Sequence, residues 1–477
     1  MRITKYNEAY LKIECEADLA YELAEYFTFF VPGYKFMPLY RNKVWDGKLR
    51  LFNPMTKLLY AGLIKHVELF CKERKYDIEI DDDFAAYEFS LIEAKEFVDS
   101  ILPTHLEKRD YQLDAFVYAI RNSRALLVSP TASGKSLIIY LITQFYKKKT
   151  LIVVPTTTLV HQLASDFMSY GFSNENDIHK IFSGQEKNID VPITITTWQS
   201  IFKLPKIWFA QYEVIIGDEA HLFKSKSLTT IMTKLENCKH RFGFTGTLDG
   251  TETHKLVLEG LFGPVRNVIT TAELMQQNHV SQFRIKAIVL KYPEEIRKKN
   301  AGLEYFDEMN FIVNYEPRNK FIKNLARSLN GNTLLLYQYV EKHGKLLNEL
   351  LKDCGKPVYF IHGGIDGEER NKIRSIVNQE KDAIVIASFG TTSTGINIPN
   401  LHNIIFASPS KSRVRNLQSI GRGLRKSENK TEAILYDIAD DISWKSKKNH
   451  TILHFVERIK LYSEEQFEYK TYTVELK

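Results

Sequence analysis

Residues 124–146 read RALLVSPTASGKSLIIYLITQFY: a short apolar strand, a turn of small residues ending in Gly134-Lys135-Ser136, then a helix apolar on almost every side. A strand that passes through such a turn into a buried helix is half of a βαβ unit. It commits this part of the chain to a parallel sheet whose chemistry sits in loops at the carboxyl ends of the strands. The turn suits phosphate, because curled backbone N–H groups surround the oxygens, a lysine reaches the β and γ phosphates, and a hydroxyl meets magnesium. Ser129, Pro130, Thr131, Ala132, Ser133, Gly134, Lys135 and Ser136 are therefore expected to form a phosphate loop for ATP, with Ser136 as a Mg²⁺ ligand. Ser129 and Ala132 stand where glycine is common. Small side chains there are compatible with main-chain binding unless a positive φ is required. An ordinary glycine-containing helix start is the alternative.

The same alternation continues through TLIVVP, ITITTW, YEVIIGDEAH and RFGFTGT, and restarts with NTLLLYQY, PVYFIHGG, AIVIASFG and NIIFASPS. At 477 residues the chain exceeds one ordinary core, so two doubly wound α/β domains in series are expected. Upstream, YLKIECE alternates as a half-buried strand, Leu19, Leu23 and Phe27 mark a helix, and YKFMPLYRNKVWDGKLRLF suggests a hairpin with turns at Asn42 and Asp46-Gly47. A small α/β (α+β) domain over residues 1–90, a first parallel domain over 91–280 and a second over 281–477 follow.

Two further motifs carry chemistry. GDEAH ends an apolar strand, so Asp218 is placed to hold Mg²⁺ and Glu219 to polarise the water that attacks a γ-phosphate. QSIGRGLR, in the second domain, spaces Arg422 and Arg425 for one helical face, as arginine fingers or as a solvated basic face.

Together these motifs resemble the superfamily 2 helicases and translocases over residues 105–430, and the full chain resembles the UvsW-type helicases of T-even-like bacteriophages. The resemblance implies two RecA-like domains, ATP hydrolysis and movement on nucleic acid. RDYQ is similar to the adenine-reading Q motif, with Arg109 and Gln112 as nucleotide contacts; Gly395 and Gln418 join them. His221 and FTGT, with Thr245, Gly246 and Thr247, resemble the elements that couple the ATP site to nucleic acid. VVPTTTLVHQ, TITTWQS, YFIHGG and ASFGTTSTGINIP resemble strand-contacting motifs, which nominates Thr156, Thr157, Thr197, Gln199, His362, Ser388 and Thr394, although each threonine also reads as a helix cap. Motif V carries Asn397 where aspartate is frequent, and motif III is T-G-T, as in DNA-translocating branches. The resemblance further implies branched DNA as substrate (forks, four-way junctions, R-loops with their RNA–DNA hybrid), 3′ to 5′ movement, a monomer, and action in the cytoplasm of an infected bacterium.

On the expected hairpin, Tyr34, Lys35, Tyr40, Arg41, Lys43, Trp45, Lys48 and Arg50 interleave aromatic and basic groups, which suits a duplex surface; the alternative packs the aromatics on the motor. Trp198 reads as core in preference to a base-stacking platform. The formal charge of +7 permits a polyanion without requiring one. The four cysteines have no C-x-x-C pair, which argues against structural zinc and for a reducing compartment; no apolar run suits a signal peptide or membrane span. An RNA helicase, the motor of a restriction system, and an ATP-switched protein that anneals or clamps DNA stay open. Glu219 argues against the last, since a switch needs no hydrolytic carboxylate.

Overall fold

The computed structural model describes residues 1–81, 87–365, 367–393, 398, 400–408, 411–426 and 430–477. The chain divides into two compact units, the first over Met1–Ser129 and Gly134–Val268, the second over Pro130–Ser133 and Ile269–Lys477.

The first unit opens with β1 (Arg2–Lys5), β2 (Tyr10–Glu14), β3 (Thr28–Phe30), β4 (Lys48–Arg50), β5 (Leu58–Tyr60) and β6 (Glu79–Ile80). Strands β5-β2-β1-β6 form one sheet, antiparallel except for β1 with β6. Alternation decides which face is inside: Leu11 and Ile13 are fully buried and Glu14 is exposed. The expected hairpin within residues 34–52 takes a different form. Strand β4 pairs with β3, Phe29 opposite Leu49, and the connection holds a 3₁₀ turn at Tyr34–Phe36 and a short helix at Pro38–Arg41. Pro38 opens that helix with a φ already suited to it. Tyr34 packs against Phe30 at 4.7 Å and Tyr40 at 4.8 Å between centroids. A Cβ on Gly47 would lie 2.3 Å from Tyr34 Cδ2, so these rings form a miniature core of the extension itself.

The large sheet of this unit contains β7 (Arg124–Val128), β8 (Thr150–Val154), β9 (Ile178–Ile181), β10 (Ile193–Thr197), β11 (Val214–Asp218), β12 (His240–Thr245) and β13 (Val265–Asn267). Its order is β13-β7-β12-β11-β8-β10-β9, all parallel. The central strands are apolar runs because both faces are covered. On one face, helices Leu91–Ile101, Asp110–Asn122, Lys135–Tyr146 and Thr157–Ser169 build a core around Phe116, Ile138, Ile152 and Phe244. On the other, Leu151, Ile215 and Phe262 share one hydrophobic cluster with Ile3, Leu11, Leu63 and Phe70. The small N-terminal sheet is thus built into the first parallel domain through a common core. Arg124 reinforces this seam, its Nη2 donating to Glu8 Oε2 at 2.7 Å and to Glu8 O at 2.6 Å.

The second unit contains β14 (Gln282–Lys291), β15 (Thr333–Tyr337), β16 (Val358–Ile361), β17 (Ile384–Ser388), β18 (Asn403–Phe406), β19 (Glu432–Asp441) and β20 (Glu468–Glu475). The order is β16-β17-β15-β18-β19-β14-β20, again all parallel. Buried ion pairs tie its helices to its strands. Arg318 grips Asp440 with Nε at 2.7 Å and Nη2 at 2.9 Å, and Arg458 Nε donates to Asp437 Oδ2 at 2.9 Å. Among the described residues no helix is long and apolar enough to cross a membrane.

Candidate active site

The phosphate loop follows β7 directly. Ser129 N donates to Thr245 O at 2.8 Å, which fixes the loop's entry to the neighbouring strand β12. Lys135 Nζ reaches back to Ser129 O at 3.2 Å, and Ser133 Oγ donates to Pro130 O at 2.7 Å, curling the segment upon itself. The two missing glycines behave differently. Ser129 is fully buried and is not among the positive-φ residues, so its side chain costs nothing in backbone strain. Ala132 sits at φ +68°, in the left-handed region that costs an L-residue about 1–2 kcal/mol. The loop keeps the glycine-type conformation without the glycine.

Gly134 is needed for two reasons. Its φ is +81°, and a Cβ would meet Gln112 Nε2 at 2.2 Å. Gln112 opens the helix Asp110–Asn122, where its Oε1 accepts from Arg109 N at 3.1 Å, while Arg109 Nη1 donates to Tyr111 Oη at 2.7 Å. The expected nucleotide contacts Arg109 and Gln112 are thereby brought to the loop, Gln112 as a brace beneath Gly134.

Two strands away, β11 delivers Asp218 and Glu219. Glu219 lies at φ +50°, and its N–H donates to Asp218 Oδ1 at 2.9 Å, so the acidic pair is held in a strained turn. Burial and the neighbouring Glu219 charge push the Asp218 carboxyl up to about 6, against the pull of Lys135. Mg²⁺ with ATP fits this set: a desolvated acid destabilised by a second carboxylate is relieved by a dication, and Lys135 and the loop N–H groups suit phosphate. Burial holds His221 down at about 4, so its neutral ring meets Thr245 Oγ1 at 3.0 Å. Thr245 Oγ1 donates to Thr247 O at 3.0 Å; His221, Thr245 and Thr247 form one connected group, and Gly246 follows within reach of Lys135.

Several of the expected strand contacts also make local hydrogen bonds. Thr156 Oγ1 accepts from Leu159 N at 3.4 Å, Thr197 Oγ1 lies 2.9 Å from Ser200 Oγ, and Ser388 Oγ accepts from Thr391 N at 3.1 Å while nearly buried. Thr157 and Gln199 are exposed, and His362 Nδ1 accepts from Gly364 N at 3.1 Å. Trp198 packs on Phe202 at the edge of the core, in keeping with its core reading. Thr394, Gly395 and Asn397 lie outside the described residues.

In the second unit the helix Arg413–Gly423 carries Gln418 and Arg422, half-buried. It ends before Arg425, so the two arginines do not share a helical face as their spacing suggests. The carbonyl of Arg425 accepts from Lys430 Nζ at 2.8 Å and from Ser281 Oγ at 3.1 Å, which draws the chain off the helical path. On the N-terminal extension, Arg50 is exposed but ion-paired with Asp46, and Lys48 Nζ lies 5.2 Å from the Phe30 ring centroid. Trp45 Nε1 donates to Lys48 O at 2.9 Å. Phe30, Tyr34 and Tyr40 pack upon one another.

Sequence reasoning missed two groups. Tyr170 Oη lies 2.7 Å from Ser136 Oγ, a contact made by the end of another helix. Asp249 gathers Lys224 Nζ at 2.5 Å, Thr251 Oγ1 at 2.8 Å and His254 Nδ1, just beyond the T-G-T motif. Burial would raise Asp249, but the hydrogen bonds from His254 and Lys224 outweigh it and hold the carboxyl well below its ordinary range. Only the short spacing from GDEAH and FTGT hints at this cluster.

Comparison with known proteins gives three family matches: "DNA helicase UvsW, N-terminal" over residues 1–81, "Type III restriction enzyme, res subunit" over 105–250, and "Helicase conserved C-terminal domain" over 316–427. The ATP-dependent DNA helicase uvsW of Enterobacteria phage T4 is 34% identical, with 100% of both chains covered. The crystal structure of T4 UvsW covers 100% of this chain and 99% of its own at 32% identity, with a TM-score of 0.53. The DNA 3'-5' translocase XPB2 of Sulfurisphaera tokodaii is 23% identical over 83% of this chain and 92% of that one.

Proposed function

The chain belongs to the UvsW family of ATP-dependent DNA helicases, and we propose that it remodels branched DNA, unwinding forks and migrating four-way junctions and R-loops. The observation that carries the reading is the joining of Lys135, the Asp218–Glu219 pair and Gln112 at one carboxyl edge of a parallel sheet. Residues 1–90 select the DNA, 91–280 hold ATP, and 281–477 complete the motor. Movement 3′ to 5′, a monomer, and action inside an infected bacterium are part of this proposal.

Ser136 and Asp218 would hold magnesium, which when bound neutralises phosphate charge and orients the γ-phosphate. Lys135 and the loop N–H groups position the phosphates, and Arg109 and Gln112 the base. Glu219 orients the attacking water and accepts its proton. Arg422 and Arg425 are assigned to the charge that develops on the γ-phosphate. His221 and Thr245 relay the state of the site to the T-G-T motif. Thr157, Gln199 and the basic extension around Lys48 and Arg50 supply sequence-independent contacts to DNA phosphates.

The test is steady-state ATP hydrolysis with no polymer, single-stranded DNA, a forked duplex and single-stranded RNA. Fork stimulation that Lys135→Ala abolishes is expected. Stimulation by RNA alone would move the function to RNA remodelling.

A further inference from the structure

The helix Glu252–Phe262 follows the T-G-T motif and is eleven residues long, about 16 Å. Leu256, Val257, Leu258, Leu261 and Phe262 are all buried, so it is a packed element of the first unit. Its beginning is fastened to the turn that carries the acidic pair. Lys224, the last residue of the 3₁₀ turn Ala220–Lys224, donates to Asp249, which also accepts from Thr251 N at 3.0 Å and from His254 on the first turn of the helix. Its end touches the acidic strand as well. Phe262 meets Phe223 at 5.0 Å between centroids, and a Cβ on Gly217, the residue before Asp218, would lie 2.8 Å from Phe262 Cζ.

The same last turn is locked to the N-terminal segment. A Cβ on Gly62 would come within 2.0 Å of Glu259 O and 2.9 Å of Gly260 O, so the two backbones approach with no side chain between them. A Cβ on Gly260 would in turn meet Tyr60 Cβ at 2.9 Å. Beside this contact His66 Nε2 lies 2.9 Å from Glu259 Oε2, and Glu259 is 6% exposed. A seam of this kind has no slack: close-packed interiors resist gradual deformation and transmit displacement.

We propose that the helix Glu252–Phe262 couples DNA binding by the N-terminal segment to the nucleotide state of the Asp218–Glu219 turn. Asp249 and the His66–Glu259 contact are positioning residues at its two ends. The inference rests on the reading that the basic extension grips DNA. By linkage, nucleotide must then change fork affinity, and forked DNA must change nucleotide affinity by the same factor.

The test measures fork affinity with and without a non-hydrolysable ATP analogue and Mg²⁺, in the full chain and in His66→Ala, His66→Gln and Asp249→Asn, with melting curves and DNA-free ATP turnover alongside. In the wild type the analogue is expected to shift the fork Kd by roughly 5- to 150-fold. The shift should shrink to within about twofold in His66→Ala and in Asp249→Asn, and return in His66→Gln, whose amide can still donate to Glu259. DNA-free turnover of His66→Ala should match the wild type. A full shift in both folded variants would overturn the proposal, as would a wild type without a shift. Fork affinity unchanged by Lys48→Ala with Arg50→Ala would instead overturn the underlying DNA-grip reading, and this inference with it.

Discussion

The two seven-stranded sheets share one all-parallel design and treat charge in opposite ways. In the first unit, Lys135, Asp218, Glu219 and His221 crowd the carboxyl edge, and Asp218 is raised because burial and Glu219 disfavour its charge. In the second, charge is buried and matched: Arg318 with Asp440 at 1% and 4% side-chain exposure, Arg458 with Asp437 at 1% and 0%. A dication and a triphosphate can complete the first arrangement; in the second each buried guanidinium already meets a carboxylate, with Arg318 Nη1 and Arg458 Nη2 making no hydrogen bond among the described residues. The comparison teaches that the repeated architecture supplies a platform, and that incomplete electrostatic compensation gathers at the carboxyl edge of the first sheet.

Four experiments can break or sharpen that contrast. Arg422→Ala is expected to lower kcat roughly 10³-fold or more if this arginine serves the first unit's chemistry; a near-normal rate in a steady-state assay would return it to the structural side. Asp440→Ala should destabilise the second unit by about 3–5 kcal/mol, because Arg318 is left buried and unmatched. Urea unfolding reads this, and the first unit's nucleotide affinity should persist.

The third concerns pH. With its folded value raised from 3.8 to about 6, Asp218 contributes stability to the nucleotide-free protein below pH about 4, and that contribution is lost as pH rises through about 6. Turnover has the opposite slope, since the ionised form holds the metal. Melting temperatures at pH 4.5 and 7 should show this loss in the wild type, and Asp218→Asn should remove it, raising the neutral-pH melting temperature by roughly 2–6 °C. The smallest effect is Ala132→Gly. It relieves a left-handed alanine but frees the unfolded chain, so calorimetry should find a change under about 1 kcal/mol.

Legibility followed locality. Lys135, Ser136, Asp218 and Glu219 could be read because each lies within a few residues of the strand that aims it, and the apolar runs of β7, β8, β10, β11 and β12 announced a buried parallel sheet. Strand β20 is mostly exposed and gave no such signal, although it completes the second sheet's edge. The pairing of β3 with β4 was hidden because nineteen residues separate Phe29 from Leu49, its partner, and the turn-forming residues between them serve other turns. Arg425 was misread because helical spacing was extended past the helix's end.

The sequence by itself determined the two parallel domains and pointed to the loop proposed for phosphate, since both depend on short-range periodicity and on consecutive groups of a single loop. Only the tertiary structure decided that alanine occupies a left-handed position at 132, that Gln112 braces Gly134, and that Gly62 seats the N-terminal sheet on the helix Glu252–Phe262. Those outcomes depend on which distant backbones come within van der Waals contact. That is fixed by packing the whole core, where a single added methyl group has no room.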